Sequence, residues 1–152
     1  FDEIYRQEKT AVLMLVGRGS EEETIKNYVS GKNLDDHVLF LGVRKDIPDL
    51  MNLFDVFLFP STYEGLGIVG IEAQASGLPV FMSEAVPKEA VVTPNAWRYS
   101  AEKGPIYWKE KIAEKLKNFE RKDRQQWIVE NNYDIKAVAK RMELFYREKK
   151  AI

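Results

Sequence analysis

The 152-residue sequence contains no cysteine, which removes disulfide frameworks and thiolate metal sites. It has one histidine, His37. A multi-histidine metal centre therefore cannot be assembled, and a Ser-His-Asp arrangement would have to use that single ring. No apolar run is long enough to cross a bilayer, and none is laid out as a signal peptide. An excess of charge of one sign is also missing: 23 Lys and Arg stand against 24 Asp and Glu, so the total gives no reason to expect nucleic acid as a partner. Together these absences lead us to expect a cytoplasmic protein.

What is present is ordinary for a globular chain, with 45% apolar and 31% charged residues and a length that can bury the core of one domain. The charge is unevenly spread. From Lys103 onward there are 14 basic and 8 acidic residues, against 9 and 16 before it. A solvated helical surface accounts for the basic tail better than a membrane-facing or partner-facing patch. Phe1, Ile4 and Tyr5 have helical spacing with no capping residue before them, so the chain reads as cut from a longer parent.

Strand and helix patterns then alternate. The continuous apolar run Ala11–Val16, closed by Gly17-Arg-Gly19, predicts a strand buried on both faces. Ser20 and Glu23 form a capping box opening a helix that stops at Gly31. A second strand is predicted over His37–Leu41. Asp46 is expected to cap a short helix through Leu53, with Pro48 in its first turn. Asp55–Phe59 reads as a third strand, Gly65–Ser76 as a helix, Val80–Ser83 as a fourth strand and Glu89–Thr93 as another short one. From Pro105 the tail is helical, with Ile106, Trp108, Ile112, Leu116 and Phe119 on one stripe. This order predicts an α/β fold: a Rossmann-like parallel sheet flanked by helices, with a helical C-terminal tail.

Ligands of such sheets bind at the carboxyl ends of the strands, which singles out the loops at 17–19, 42–44 and 60–67. The last is the richest. Glu64 stands directly before two glycines at a helix start, where backbone can approach a ligand and N–H groups favour an anion such as a diphosphate. Glu72 follows about two turns along the helix, where a carboxylate can accept hydrogen bonds from hydroxyls. On spacing alone a bland reading stays open: Glu64 could simply complement the helix dipole and Glu72 could face solvent.

The stretch Pro60-Ser-Thr-Tyr-Glu-Gly-Leu-Gly-Ile-Val-Gly-Ile-Glu-Ala-Gln-Ala-Ser-Gly-Leu-Pro79 resembles the donor motif of retaining GT-B glycosyltransferases of the GT4 type. That motif has two glutamates with seven residues between them, preceded by Pro-Ser and followed by a Gly-x-Pro turn. Leu13–Gly19, Val38–Arg44 and Ile47–Pro60 are similar to the family's flanking segments, and within the family the likeness is strongest to capsular and exopolysaccharide enzymes. The resemblance implies the C-terminal, nucleotide-sugar-binding half of a GT-B enzyme over residues 1–152. It would transfer a hexose from a nucleoside diphosphate sugar, UDP by default, to a growing glycan with retention. Glu64 would be the catalytic residue that contacts the donor sugar. Gly65, Leu66, Gly67, Ile68 and Val69 would offer backbone N–H groups to sugar and diphosphate, and Glu72 would hold the ribose. Val43 and Arg44 would lie against the base, with Gly17 and Arg18 on the same sheet edge.

No metal and no separate cofactor are expected. The glycan or lipid-linked acceptor would bind an N-terminal domain, which the resemblance places before Phe1 together with a basic Arg/Lys loop. The fragment alone is therefore expected to be inactive, and the parent enzyme could associate peripherally with the inner face of a membrane. Two other readings are a non-catalytic nucleotide-sugar-binding module and a GT-B-like sugar-nucleotide epimerase. Lesser expectations are a solvated His37, a loop-packing or sugar-lining Tyr63, and core roles for Trp97, Trp108 and Trp127. Phe145 and Tyr146 are expected to be exposed.

Overall fold

The structure, a computed structural model, describes residues 1–149. The chain forms two compact units, one of Phe1–Ile47 with Lys103–Ala113, the other of Pro48–Glu102 with the chain from Glu114.

In the first unit, α1 (Asp2–Tyr5), β1 (Leu13–Val16), α2 (Glu22–Gly31) and β2 (Val38–Gly42) follow in order. β1 and β2 pair in parallel from Leu13↔Val38, with a register shift that sets Val16 opposite Gly42. Side chains alternate along a strand, so Leu13 and Leu15 point to a core of Val29, Leu34 and Val38, joined by Phe1, Tyr5 and Phe40. Met14 and Val16 point the other way and are 38% and 39% exposed. The run at 11–16 is thus covered on one face, not on both. The capping box does not form: the N-cap is Glu21, and no side chain caps the helix. His37 is not solvated. It ends a 3-10 turn over Asp35–His37, half-buried between the Tyr5 hydroxyl, 3.0 Å from Nε2, and the Ala11 carbonyl, 3.3 Å from Nδ1.

The second unit carries β3 (Phe57–Phe59), α4 (Ile68–Ala75), β4 (Val80–Ser83), β5 (Ala96–Tyr99), α6 (Gln125–Glu130) and α7 (Ile135–Lys149), with α3 (Ile47–Leu53) leading into it. The strands are parallel in the order β3-β4-β5. Central β4 is buried throughout, as its Val-Phe-Met core requires, and Phe81 packs against Trp97 in a tilted pair with ring centroids 5.2 Å apart. The third sheet member is Ala96–Tyr99, not Glu89–Thr93. Lys88–Ala90 is a 3-10 turn, and the segment after it spends its donors on Gln74: the N–H groups of Val92 and Thr93 reach its Oε1 at 2.9 and 3.1 Å.

α5 (Gly104–Leu116) confirms the helical tail, but its stripe is uneven. Ile112 is buried while Ile106 is 56% exposed. Trp97 and Trp108 are half-buried; Trp127, at 43% exposed, is not a core residue. Phe145 and Tyr146 on α7 are exposed, as expected, and Met142 is exposed too. No helix among the described residues is long and apolar enough to cross a membrane.

Candidate functional site

β3 stops at Phe59 because Pro60 has no N–H to continue the ladder. The loop that follows is tied to the end of β4, where the Ser83 hydroxyl donates to the Ser61 carbonyl. Glu64 is half-buried and folded onto its own loop. Its Oε1 accepts the Gly65 N–H at 3.2 Å, and its Oε2 accepts the Ser61 hydroxyl at 3.5 Å. The helix expected from Gly65 begins only at Ile68, because Gly67 has φ +79°, a left-handed conformation that cannot continue a right-handed helix. Gly67 is also packed tightly: an added Cβ would lie 2.8 Å from Phe59 Cε1 and 3.3 Å from Glu64 Cγ.

α4 therefore starts without a side-chain cap and with no acidic residue in its first turn. The leading N–H groups of a helix have no partner within it, so this end can serve a ligand anion. One face of α4, comprising Gly70, Ile71, Ala73 and Gln74, is buried. Gly70 allows that close approach, since a Cβ there would meet Met82 Sδ at 3.3 Å. Glu72 falls on the opposite, exposed side, within the same helix whose start carries Gly67. Leu66 and Val69 are half-buried and Gly65 is exposed; Ile68 is 63% and Tyr63 90% exposed. Tyr63 thus does not pack on the loop.

In the first unit the carboxyl ends of β1 and β2 enclose a cavity of about 230 Å³. Gly17, Arg18, Phe40, Ile25 and Gly42 are among the residues that line it. Gly17 (φ +123°) and Gly42 (φ +61°) both take backbone conformations that favour glycine, and the Gly17 N–H donates to the Gly42 carbonyl at 2.8 Å. Val43 is 70% exposed. Arg44 is engaged by Asp46, with Nε–Oδ1 and Nη2–Oδ2 at 2.9 and 2.5 Å. The hydrogen bond from Arg44 holds the Asp46 carboxyl below the usual range and raises the Arg44 guanidinium in turn. Among the described residues no three Asp, Glu or His side chains are grouped as metal ligands would be.

Sequence reasoning missed two side chains that position α4. Gln74 is fully buried and bonded at both ends of its amide. Its Nε2 donates to the carbonyls of Gly70 and Ala90 at 2.9 and 2.7 Å, and its Oε1 also takes the Thr93 hydroxyl at 3.0 Å. Arg121 donates to the carbonyls of Met51, Asn52 and Phe54 at the end of α3, at 2.8, 3.1 and 3.0 Å, and through Nε to that of Ser76 after α4, at 3.0 Å. A polar residue on the buried face of α4 was a usable signal for Gln74. Nothing local marks Arg121, whose partners lie 45 to 70 residues away.

Several known proteins are similar to this chain. The glycosyltransferase-named EpsF of Bacillus subtilis (strain 168) is 46% identical over 77 residues, 51% of this chain and 20% of that protein. The chain spans about a fifth of the length of the curated relatives it matches. The Anabaena protein HepE, crystallised with UDP and glucose, is 30% identical with a TM-score of 0.52, over 59% of this chain and 26% of that one. The sucrose-phosphate synthase of Thermosynechococcus elongatus shares the fold at a TM-score of 0.73 and 22% identity, over 99% of this chain and 42% of that one. The glycosyl transferases group 1 family matches residues 1–131, and the chain belongs to that family.

Proposed function

We propose that this chain is the donor-binding domain of a retaining, GT4-type glycosyltransferase that moves a hexose from a nucleoside diphosphate sugar to a growing glycan in capsular or exopolysaccharide assembly. The observation that carries the reading is the turn from Glu64 to Gly67, which packs a carboxylate against an uncapped helix start at the carboxyl end of β3. Glu64 touches the donor sugar, and Gly65 to Val69 face the sugar and diphosphate with backbone N–H groups. Negative charge leaving with the diphosphate is stabilised there by preorganised donors, without a metal or separate cofactor. Glu72, exposed on α4, accepts the ribose hydroxyls. For Gly17, Arg18, Val43 and Arg44 the reading keeps the nucleotide contacts implied by the family resemblance. The HepE complex with UDP and glucose supports uridine as the base and a hexose as the sugar. Acceptor binding belongs to the rest of the parent enzyme, which works at or near the inner face of the membrane, and the chain by itself does not catalyse transfer.

The test is titration of UDP and GDP, alone and as sugar conjugates, into the isotopically labelled chain. Shifts at Gly65–Glu72 with UDP and not GDP are the expected outcome. Glu72→Ala should weaken binding of free UDP roughly tenfold, since a hydrogen bond to a charged group contributes about 1.5–3 kcal/mol. Glu64→Ala should leave free UDP alone and weaken only the sugar conjugate. Unchanged UDP affinity in Glu72→Ala would remove the ribose assignment.

A further inference from the structure

We propose that Tyr63 is the platform for the donor sugar, an assignment that rests on the donor reading of the Glu64–Gly67 turn. Its ring lies against the C–H face of the pyranose while Glu64, beside it, takes the hydroxyls. Tyr63 thereby responds to the sugar and not to the nucleotide. The side chain is 90% exposed and has no partner among the described residues, so it is neither a core residue nor a clasp for the loop. A lone exposed apolar group is ordinary on a protein surface; the setting of this one is not.

The chain is pinned on both sides of Tyr63. The Ser61 carbonyl accepts the Ser83 hydroxyl. The Ser61 hydroxyl donates to Glu64 Oε2 at 3.5 Å, and the Gly65 N–H donates to Glu64 Oε1 at 3.2 Å. Tyr63 thus stands between two anchored residues, and a tyrosine held so offers a large amphipathic surface at low entropic cost. The same bonds leave Glu64 partly unused. A carboxylate has about four lone-pair sites, and each of its oxygens accepts one bond here. Acceptor capacity therefore remains for a ligand's hydroxyls. Past Glu64 the space is open: a Cβ on Gly65 would meet nothing within 4 Å. Ile68, the first residue of α4, is 63% exposed and adds apolar surface to the same segment.

A pyranose carries hydroxyls around its rim and C–H groups on its face, so it needs acceptors and an apolar plate together. Adjacent residues of one fixed loop supply both: the Glu64 carboxylate accepts, and the Tyr63 ring is flat and apolar with a polar tip. A phosphate is repelled by Glu64 and gains nothing from the ring. A nucleobase would stack on it as well, and free UDP is the control that separates base from sugar.

The experiment titrates UDP, UDP-glucose and UDP-galactose separately into the chain labelled on its tyrosine rings and backbone amides. At least one UDP-hexose is expected to shift the Tyr63 ring resonances, and the C–H protons of its bound sugar should move upfield under the ring. UDP alone should leave the Tyr63 ring unshifted while still shifting Glu72. Tyr63→Ala should weaken that UDP-hexose about tenfold, the scale of a well-used aromatic contact, and leave UDP unchanged. Tyr63→Phe keeps the plate and should stay within about threefold of wild type. Both variants should unfold at the wild-type denaturant concentration, since the side chain is exposed. Wild-type affinity for both UDP-hexoses in Tyr63→Ala, a Tyr63 ring shift with UDP as large as with UDP-hexose, or Tyr63→Phe as weak as Tyr63→Ala would each overturn the proposal. If UDP and both UDP-hexoses leave Glu72 and the turn unshifted, the donor reading falls and takes this assignment with it. If they shift Glu72 and the Tyr63 ring stays silent to the hexoses, only the assignment of Tyr63 falls.

Discussion

Gly67 lies against the Glu64 side chain so closely that an added Cβ would come within 3.3 Å of Glu64 Cγ. The same Cβ would be 2.8 Å from the Phe59 ring, in a backbone conformation with φ +79°. Gly67→Ala should therefore move Glu64 as well as strain the turn. We expect a stability loss on the order of 2 kcal/mol from the left-handed backbone and the clash, measured by denaturant unfolding. Binding of a nucleotide sugar should fall further than binding of the free nucleotide. Equal losses for both would mean that the turn does not position Glu64.

Gln74 is the hub that fastens α4 to the 90–93 segment. Gln74→Leu keeps the volume but strands the N–H groups of Val92 and Thr93 and the Ala90 carbonyl, all bonded to it now. With buried unpaired groups costing about 1–3 kcal/mol each, the variant should lose roughly 3 kcal/mol or more. Hydrogen exchange should show faster opening at Val92 and Thr93 specifically. A variant within half a kcal/mol of wild type, a value about that of a surface change, would contradict this role.

Arg121 holds the ends of α3 and α4 with a planar fork of donors. Lysine has no such fork. Arg121→Lys should therefore be nearly as destabilising as Arg121→Ala, roughly 2 kcal/mol in thermal or chemical unfolding. If lysine restores most of the stability, charge and not geometry is what α3 and α4 require.

The Arg44–Asp46 pair predicts a pH effect with a definite sign. Asp46 is depressed from its usual value of 3.8, first by the hydrogen bond from Arg44. A depressed carboxyl contributes stability above the unfolded value and loses it as pH falls through the folded value. The contribution is thus present at neutral pH and disappears only below about pH 3.8. Side-chain carboxyl NMR should place the Asp46 midpoint under 3.8, and Arg44→Ala should return it toward the ordinary range. The pair is solvent-exposed, so neutral-pH stability should change little.

Much of the second unit was legible because its signals are local. Pro60 ends β3, the Gly77-Leu-Pro79 turn ends α4, and Val80–Ser83 falls where the apolar run sits. The same locality misled at Gly65–Gly67. The residue pattern is compatible with a helix start, and only packing against Phe59 requires the left-handed turn that delays α4 to Ile68. Glu89–Thr93 looked like a strand because β-branched residues favour strands, yet its N–H groups are claimed by Gln74, about eighteen residues earlier. Ala96–Tyr99 became the third strand instead, since Phe81 on β4 offers Trp97 and Tyr99 an aromatic surface.

The sequence by itself determined the alternation of strands and helices, the exclusion of cysteine and multi-histidine chemistry, and the positions of Glu64 and Glu72 in a family motif. Those properties depend on composition and on spacings of a few residues. Only the tertiary structure decided that Glu64 is folded onto its loop and Glu72 is exposed, that His37 is shared between Tyr5 and Ala11, and that Arg121 serves four distant carbonyls. It also decided that Asn95 is buried and donates its side-chain amide to the Leu78 carbonyl. Each of those depends on hydrogen-bond partners brought together from far along the chain, and single-sequence periodicity carries no information about such pairings.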